Sequence, residues 1–287
     1  MGSPKDLRAL TDERRSAGAT VGLVPTMGAL HEGHTSLIER ARAGRDHVVV
    51  SIFVNPLQFD DPDDLTRYPN DRERDLDRCR ELGVDTVWMP TVEQMYPPGE
   101  HLASPEPGPV GQSFEGAVRP GHFVGVLKAV HRLFDVTGPC GATFGQKDAQ
   151  QLFLVRQMVA EMGLPVQVVD CPTVREPDGL ALSSRNASLT PEEREQAGCL
   201  FLGLTEAAAL ARAGEHNAHA LVAAVAREVG ATSLARLDYA AVVDDENFLP
   251  ISVIEPGSRV RALVAARFPS ARLIDNIMLP GDALVTG

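Results

Sequence analysis

Between residues 21 and 171 the chain alternates two hydrophobic periods, and this restricts its fold more than any other feature. Val21-Gly-Leu-Val-Pro25 is a short apolar run, and residues 34–43 then read as a helix ending near Gly44. His47-Val-Val-Val-Ser-Ile-Phe-Val54 is almost entirely β-branched or aromatic, the make-up of a strand buried on both faces. The spacing predicts helices over 70–82, 122–137 and 148–162, with strands over 84–88, 142–145 and 166–170. A Pro/Gly-rich connection runs from Pro90 to Pro120. Strand and helix recurring at this spacing imply βαβ units on a mainly parallel sheet, with strand order left open. Ligands of such sheets gather at the carboxyl ends of the strands, where the conspicuous polar residues of this chain fall.

After Val174 the texture changes. Thr190 and Pro191 read as the N-cap and first turn of a long helix through Ala213. A second helix covers 217–229, and strands lie near 236–243, 259–266 and 271–277. The expected architecture is therefore a Rossmann-like, doubly wound α/β domain over 1–173 and a smaller C-terminal α+β domain over 174–287. The net charge of −12 argues against a nucleic-acid or anionic-membrane partner. No apolar run approaches the ~20 residues of a membrane span, and no signal peptide is evident. The four cysteines are scattered without a C-x-x-C pair, which excludes a cysteine zinc site or disulfide scaffold and fits a cytoplasmic protein.

Three clusters could carry chemistry. The first is Pro25-Thr-Met-Gly-Ala-Leu-His-Glu-Gly-His34, between a strand and a helix. Its two histidines, three apart on a helical turn, can face the same way. Gly33 allows close approach, and the helix start offers N–H groups to an anion. H-E-G-H is not H-E-x-x-H, so the helical zinc-protease geometry is excluded. An ATP triphosphate suits these groups, although a histidine pair can also be purely structural. The second cluster, Phe144-Gly-Gln-Lys-Asp148, ends a strand. Lys147 offers a point charge to phosphate, and Asp148 could serve a ribose hydroxyl, Mg²⁺ or the cap of the next helix. The third, Leu182-Ser-Ser-Arg-Asn186, offers hydroxyls and a guanidinium; its bland alternative is a solvated turn. Gln58 and Gln151 are neutral amides that can fix oxygens of a small polar substrate. The Asp60, Asp61, Asp63, Asp64 run reads as a solvated loop.

Six blocks in order carry a resemblance: PTMGALHEGH at 25–34, VSIFVNPLQF at 50–59, RPGHFVGV at 119–126, FGQKDAQQ at 144–151, DGLALSSRN at 178–186 and ARLIDNI at 271–277. Together the chain resembles the pantothenate synthetases, or pantoate–β-alanine ligases. HEGH and LSSRN are similar to the two signature motifs of nucleotidyltransferases and class I aminoacyl-tRNA synthetases. The resemblance implies condensation of pantoate with β-alanine through pantoyl adenylate, with ATP as co-substrate and Mg²⁺ as cofactor, in a homodimer. It implies an ATP site from Met27, Gly28, Ala29, Leu30, His31, Glu32, Gly33 and His34. Gly145, Gln146, Lys147 and Asp148 add to that site, as do Val174, Leu182, Ser183, Ser184 and Arg185. His34 is implied as proton donor, with His31, Lys147, Ser184 and Arg185 also catalytic. Gln58 and Gln151 would hold pantoate, with Gln58 also near β-alanine, and Asp75 is a metal candidate. The alternatives are another nucleotidyltransferase with a different small acceptor, and a non-catalytic nucleotide-binding module.

Overall fold

The computed structural model describes residues 2–60 and 62–279, so Asp61 of the acidic run lies outside the described residues. The chain divides into two compact units, Met1–Pro172 and Thr173–Gly287. The first contains, in order, α1 (Pro4–Ser16), β1 (Val21–Thr26), α2 (Glu32–Gly44), β2 (His47–Ile52), α3 (Pro62–Arg67), α4 (Arg72–Glu81) and β3 (Thr86–Trp88). It continues with α5 (Val92–Met95), α6 (Glu115–Val118), α7 (His122–Thr137), β4 (Cys140–Gly145), α8 (Ala149–Glu161) and β5 (Val166–Cys171).

The five strands form one parallel sheet of order β3-β2-β1-β4-β5. Winding starts at central β1, runs out to β3, then returns past β1 to β4 and β5. The direction reverses between β1 and β4, which is where doubly wound sheets take their ligands, beyond the carboxyl ends. The segments leaving those two ends are 27–31 and 146–148. All six residues of β2 are buried, as its largely β-branched make-up predicts, His47 and Ser51 included. Helix α2 buries Thr35, Ile38 and Ala41, one stripe at helical spacing, and Ile38 and Ala41 join Val24, Val48, Val50 and Ile52 in one core cluster. Fully burying a side chain such as Ile38 contributes roughly 2 kcal/mol.

The second unit holds α9 (Pro191–Gln196), α10 (Cys199–Arg212) and α11 (Ala218–Gly230), followed by β6 (Arg236–Asp244), β7 (Val260–Arg267) and β8 (Arg272–Leu279). The strands make an antiparallel sheet of order β6-β7-β8. Helices α10 and α11 share its core through Leu200, Leu204, Leu221 and Val225. Gly203 lets the two helices approach: a Cβ there would lie 3.1 Å from the Val225 Cα.

Four details depart from the sequence reading. Residues 4–16 form a helix that its largely polar composition concealed, although Ser3 caps it and Pro4 opens it in a capping box with Asp6. The connection from Pro90 to Pro120 contains the single turns α5 and α6. Asp63 and Asp64 lie in the first turn of α3, not in a loop. The long helix from Pro191 is two helices, because the chain tightens at Ala197-Gly198, where glycine contributes little to helix propensity. The four cysteines are buried and unpaired.

Candidate active site

Strand β1 delivers Met27 to His31 to the switch point, and α2 begins at Glu32 rather than at His34. The cause is an uncommon N-cap. His31 Nδ1 accepts from the Gly33 N–H at 3.1 Å, and His34 Nδ1 accepts from the His31 N–H at 3.3 Å. The two histidines therefore make a reciprocal capping box of the kind usually built from Ser/Thr and Glu/Gln. A ring nitrogen that accepts carries no proton, so in each neutral ring the proton sits on Nε2. The rings lie 4.2 Å apart between centroids, tilted at 50°. Each thus turns its outer N–H away from the helix that its inner nitrogen caps.

Electrostatics keep both rings neutral. Burial, then the nearby Lys147 ammonium, lowers His31 to about 4. Burial, then His31, lowers His34 to about 3, with Lys147 adding to the shift and Asp148 opposing it. Lys147 and Asp148, at the end of β4, are thus close enough to act on the histidine pair across the switch point. Lys147 Nζ lies 3.6 Å from Asp148 Oδ1. Asp148 precedes α8 but makes no side-chain cap bond, so the capping alternative for this residue is not what the structure uses. Gln146 turns toward β5, donating to Asp170 Oδ2 at 2.7 Å. A Cβ on Gly145 would meet no atom within 4 Å. The fold itself does not demand glycine there; the side-chain-free space lies open.

Gln58 ends a 3₁₀ turn over Pro56–Gln58, capped by Asn55. Its amide is oriented at both ends: Oε1 accepts from Asn55 Nδ2 at 3.1 Å, and Nε2 donates to Met27 Sδ at 2.8 Å. Buried Asn55 also donates to the Gly125 carbonyl at 3.0 Å and accepts from the Tyr96 hydroxyl at 2.8 Å. His122 Nδ1–H donates to the Gln58 carbonyl at 2.7 Å, and Arg119 Nη2 donates to the same oxygen at 3.2 Å. Arg119 can only donate, so His122 Nε2 accepts from its Nη1 at 3.2 Å. Burial, then the Arg119 charge, holds His122 at about 4. Gln151, one turn beyond Lys147, is half-buried at the start of α8.

In the second unit, the Val174 carbonyl accepts from the Leu182 N–H at 2.9 Å, and Arg175 bridges Ala181, closing a hairpin over Pro177-Asp178-Gly179. Gly179 sits at φ +89°, where a Cβ would fall 2.0 Å from the Phe201 ring. Ser183 caps a 3₁₀ turn over Ser184–Ser188 by accepting from the Arg185 N–H at 3.3 Å. Asn186 pins that turn to the Ala181 carbonyl at 3.1 Å. The hairpin is anchored in turn: Arg175 donates to both Asp275 oxygens at 2.6 and 3.0 Å and stacks 4.1 Å from the Phe201 centroid.

In the first unit the structure therefore brings His31, His34, Lys147 and Asp148 together, and joins Gln58 to Met27. Asp75 has a different task from the one its metal candidacy supposes. Only 2 % exposed, it accepts from the Ala29 N–H at 2.9 Å and the Leu30 N–H at 2.8 Å. No group of three metal-ligating side chains occurs among the described residues. Sequence reasoning assigned no role to Asn55, Tyr96, Arg119, His122, Arg175 or Asp275. Four of these lie inside the VNP, RPGH and IDN blocks, which were the available signal.

A parallel sheet of this order, with a neutral histidine pair capping a helix and a lysine across the switch point, defines a nucleotide-binding α/β enzyme of the HIGH-motif type. The family model described as pantoate-beta-alanine ligase matches residues 1–278, and the chain belongs to that family. A pantothenate synthetase of Roseiflexus sp. (strain RS-1) is 49% identical over 270 residues, 94% of this chain and 96% of that protein. Another, from Rubrobacter xylanophilus, is 49% identical over 285 residues, 97% of each. The crystal structure of a pantothenate synthetase from Thermus thermophilus matches with TM-score 0.90 at 46% identity, covering 98% of this chain and 99% of that one. A pantoate-beta-alanine ligase from Francisella tularensis, complexed with beta-gamma ATP and beta-alanine, matches with TM-score 0.76 at 33% identity, covering 97% and 96%.

Proposed function

We propose that this chain performs its family's condensation of pantoate with β-alanine in two steps through an acyl adenylate. A pantoate carboxylate oxygen attacks the α-phosphorus of ATP, and the bond to the bridging oxygen breaks to release pyrophosphate. The β-alanine amine then attacks the activated carbonyl carbon, loses a proton, and expels AMP to leave the amide. No nucleophilic side chain is needed, because the substrate supplies the nucleophile. The observation that carries this reading is the reciprocally capped His31–His34 pair near Lys147, whose inner nitrogens are occupied and whose Nε2–H groups are left to donate. Fixed before substrate arrives, such donors meet charge as it develops on the phosphates.

His34 acts as donor to the phosphates, with His31 and Lys147 beside it. Met27, Gly28, Ala29, Leu30, Glu32 and Gly33 shape the turn that receives the nucleotide, with Gly145, Gln146 and Asp148 opposite. Gln58 and Gln151 hold the pantoate oxygens through neutral amides, Gln58 also lying near β-alanine. In the second unit, Val174, Leu182 and Ser183 hold Ser184 and Arg185 for the nucleotide. Mg²⁺ travels with the triphosphate, a mode in which phosphate oxygens and one or two carboxylates suffice. The donor set fits that mode: Asp148 is the carboxylate beside Lys147, whereas both oxygens of Asp75 are engaged by backbone. When bound, Mg²⁺ would neutralise charge on the pyrophosphate.

Protein given ATP, Mg²⁺ and pantoate will release pyrophosphate before β-alanine is added, and AMP plus pantothenate afterwards. Folded protein yielding no pantoate-dependent pyrophosphate would sink the mechanism. His34→Ala and Lys147→Ala will each lower kcat by at least ~10², and a near-normal rate in either removes that residue from the catalytic set. The enzyme works in the cytoplasm as a homodimer, a state that light scattering will report as twice the chain mass.

A further inference from the structure

The turn that presents the histidines is built on two successive left-handed residues, Gly28 at φ +84° and Ala29 at φ +51°. A left-handed alanine is disfavoured, and it persists only where surroundings over-determine it. Consecutive N–H groups in such backbone converge into an anion-binding concavity. Here that concavity already holds an anion: the Asp75 carboxylate takes the Ala29 and Leu30 N–H groups, one on each oxygen. The fit is close, since a Cβ at Gly28 would lie 2.7 Å from Asp75 Oδ2. The residue that follows the nest is His31, whose ring caps α2.

Helix α4 grips the same turn a second time. Arg78, three residues after Asp75 on the same helix, donates to Thr35 Oγ1 from Nε at 3.2 Å and Nη2 at 3.0 Å, and also pairs with Glu32. Asp75 thus sets the backbone before the histidine pair, and Arg78 holds α2 on either side of His34.

We propose that Asp75 is a positioning residue for the nucleotide step, an internal anion seated in the nest at residues 28–30, and not a metal ligand. Each of its oxygens accepts one charge-assisted bond from the backbone, and the side chain is enclosed in protein. Its effect on catalysis passes through the placement of His31 and His34, with Arg78 as its partner brace. The proposal rests on the reading of the histidine turn as the ATP site.

Kinetics of pantoate-dependent pyrophosphate release, with Mg²⁺ titrated at saturating ATP, will test it on the full chain. Asp75→Asn keeps the shape but turns an amide toward one of the two N–H groups. It is expected to raise KM for ATP about tenfold or more, as displaced binding groups do, and to leave KM for pantoate within about twofold. The Mg²⁺ half-saturation is expected to match that of the unaltered enzyme. Arg78→Gln, on a partly exposed side chain, is expected to give the same pattern more weakly. A defect that excess Mg²⁺ restores, or equal rises in both KM values, overturns the proposal. If Asp75→Asn does not fold, an unchanged ATP KM in Arg78→Gln overturns it. Should the unaltered protein make no pyrophosphate, the ligase mechanism fails by itself. ATP binding by calorimetry then decides the nest, equal affinity in the Asn variant being the refuting result.

Discussion

His31 has two nitrogens for two jobs: Nδ1 closes the start of α2, and Nε2–H is left to donate. The jobs are separable by substitution. Serine can accept the Gly33 N–H as an ordinary N-cap but has no donor at the Nε2 position. His31→Ser will therefore keep its melting temperature within a few degrees of the parent, as expected when a cap is exchanged for another worth ~1 kcal/mol. Its KM for ATP will rise about tenfold, the loss of one hydrogen bond to a charged group. A large fall in melting temperature with unchanged KM would show that the ring serves the helix alone. The sequence displays both histidines and their spacing. It does not display the cap, because His is not among the residues that start helices by rule, and periodicity alone begins α2 at His34, two residues late. Asp75 is a similar case: its partners, Ala29 and Leu30, are 46 and 45 positions away, and nothing local announces them.

At the scale of elements, the close approach of α7 to the turn that carries Gln58 depends on one missing atom. A Cβ on Gly125 would lie 2.1 Å from the Leu57 carbonyl oxygen and 2.7 Å from the Gln58 nitrogen. Both neighbours are backbone and cannot swing aside. Gly125→Ala will cost roughly 1–3 kcal/mol, as overpacking does, and will raise KM for pantoate more than KM for ATP. Thermal melts and initial rates check both halves, and a stable variant with unaltered pantoate KM contradicts the account. Strands and long helices of the first unit were legible because their burial follows simple periods, as in β2 and in α7, which runs from His122 to Thr137 as predicted. Strand order was not legible, because pairings such as Gly22 with Gly141 join residues that no local pattern connects. The second unit was read correctly as helices then strands of an α+β domain, but the break at Ala197-Gly198 was read through.

For the molecule as a whole, three buried or half-buried histidines tie stability to pH. His31, His34 and His122 are held at about 4, 3 and 4, all below their ordinary value of ~6.5. A base whose folded value is depressed binds fewer protons folded than unfolded over the interval between the two values. Stability therefore rises with pH from about 3 to 6.5, is complete above it, and declines as acid is added. For a buried ring such as His122, the slope reaches about 1.4 kcal/mol per pH unit. Melting temperatures measured from pH 7.5 to 4.5 will fall with acidification, and less steeply in His122→Asn. Parallel curves for the two proteins would contradict this.

The reciprocal histidine cap has one more consequence. A helix start carries partial positive charge, and aspartate, its usual strong cap, would cancel that charge and repel a triphosphate. Serine would cap without repulsion but would give the ligand nothing. Imidazole caps the helix without adding negative charge, so the field of α2 stays available to an anion. Glu32, the acid in the first turn, is tied off by Arg78. In the proposed ATP site the phosphates thereby meet neutral rings and backbone dipoles rather than an excess of cations.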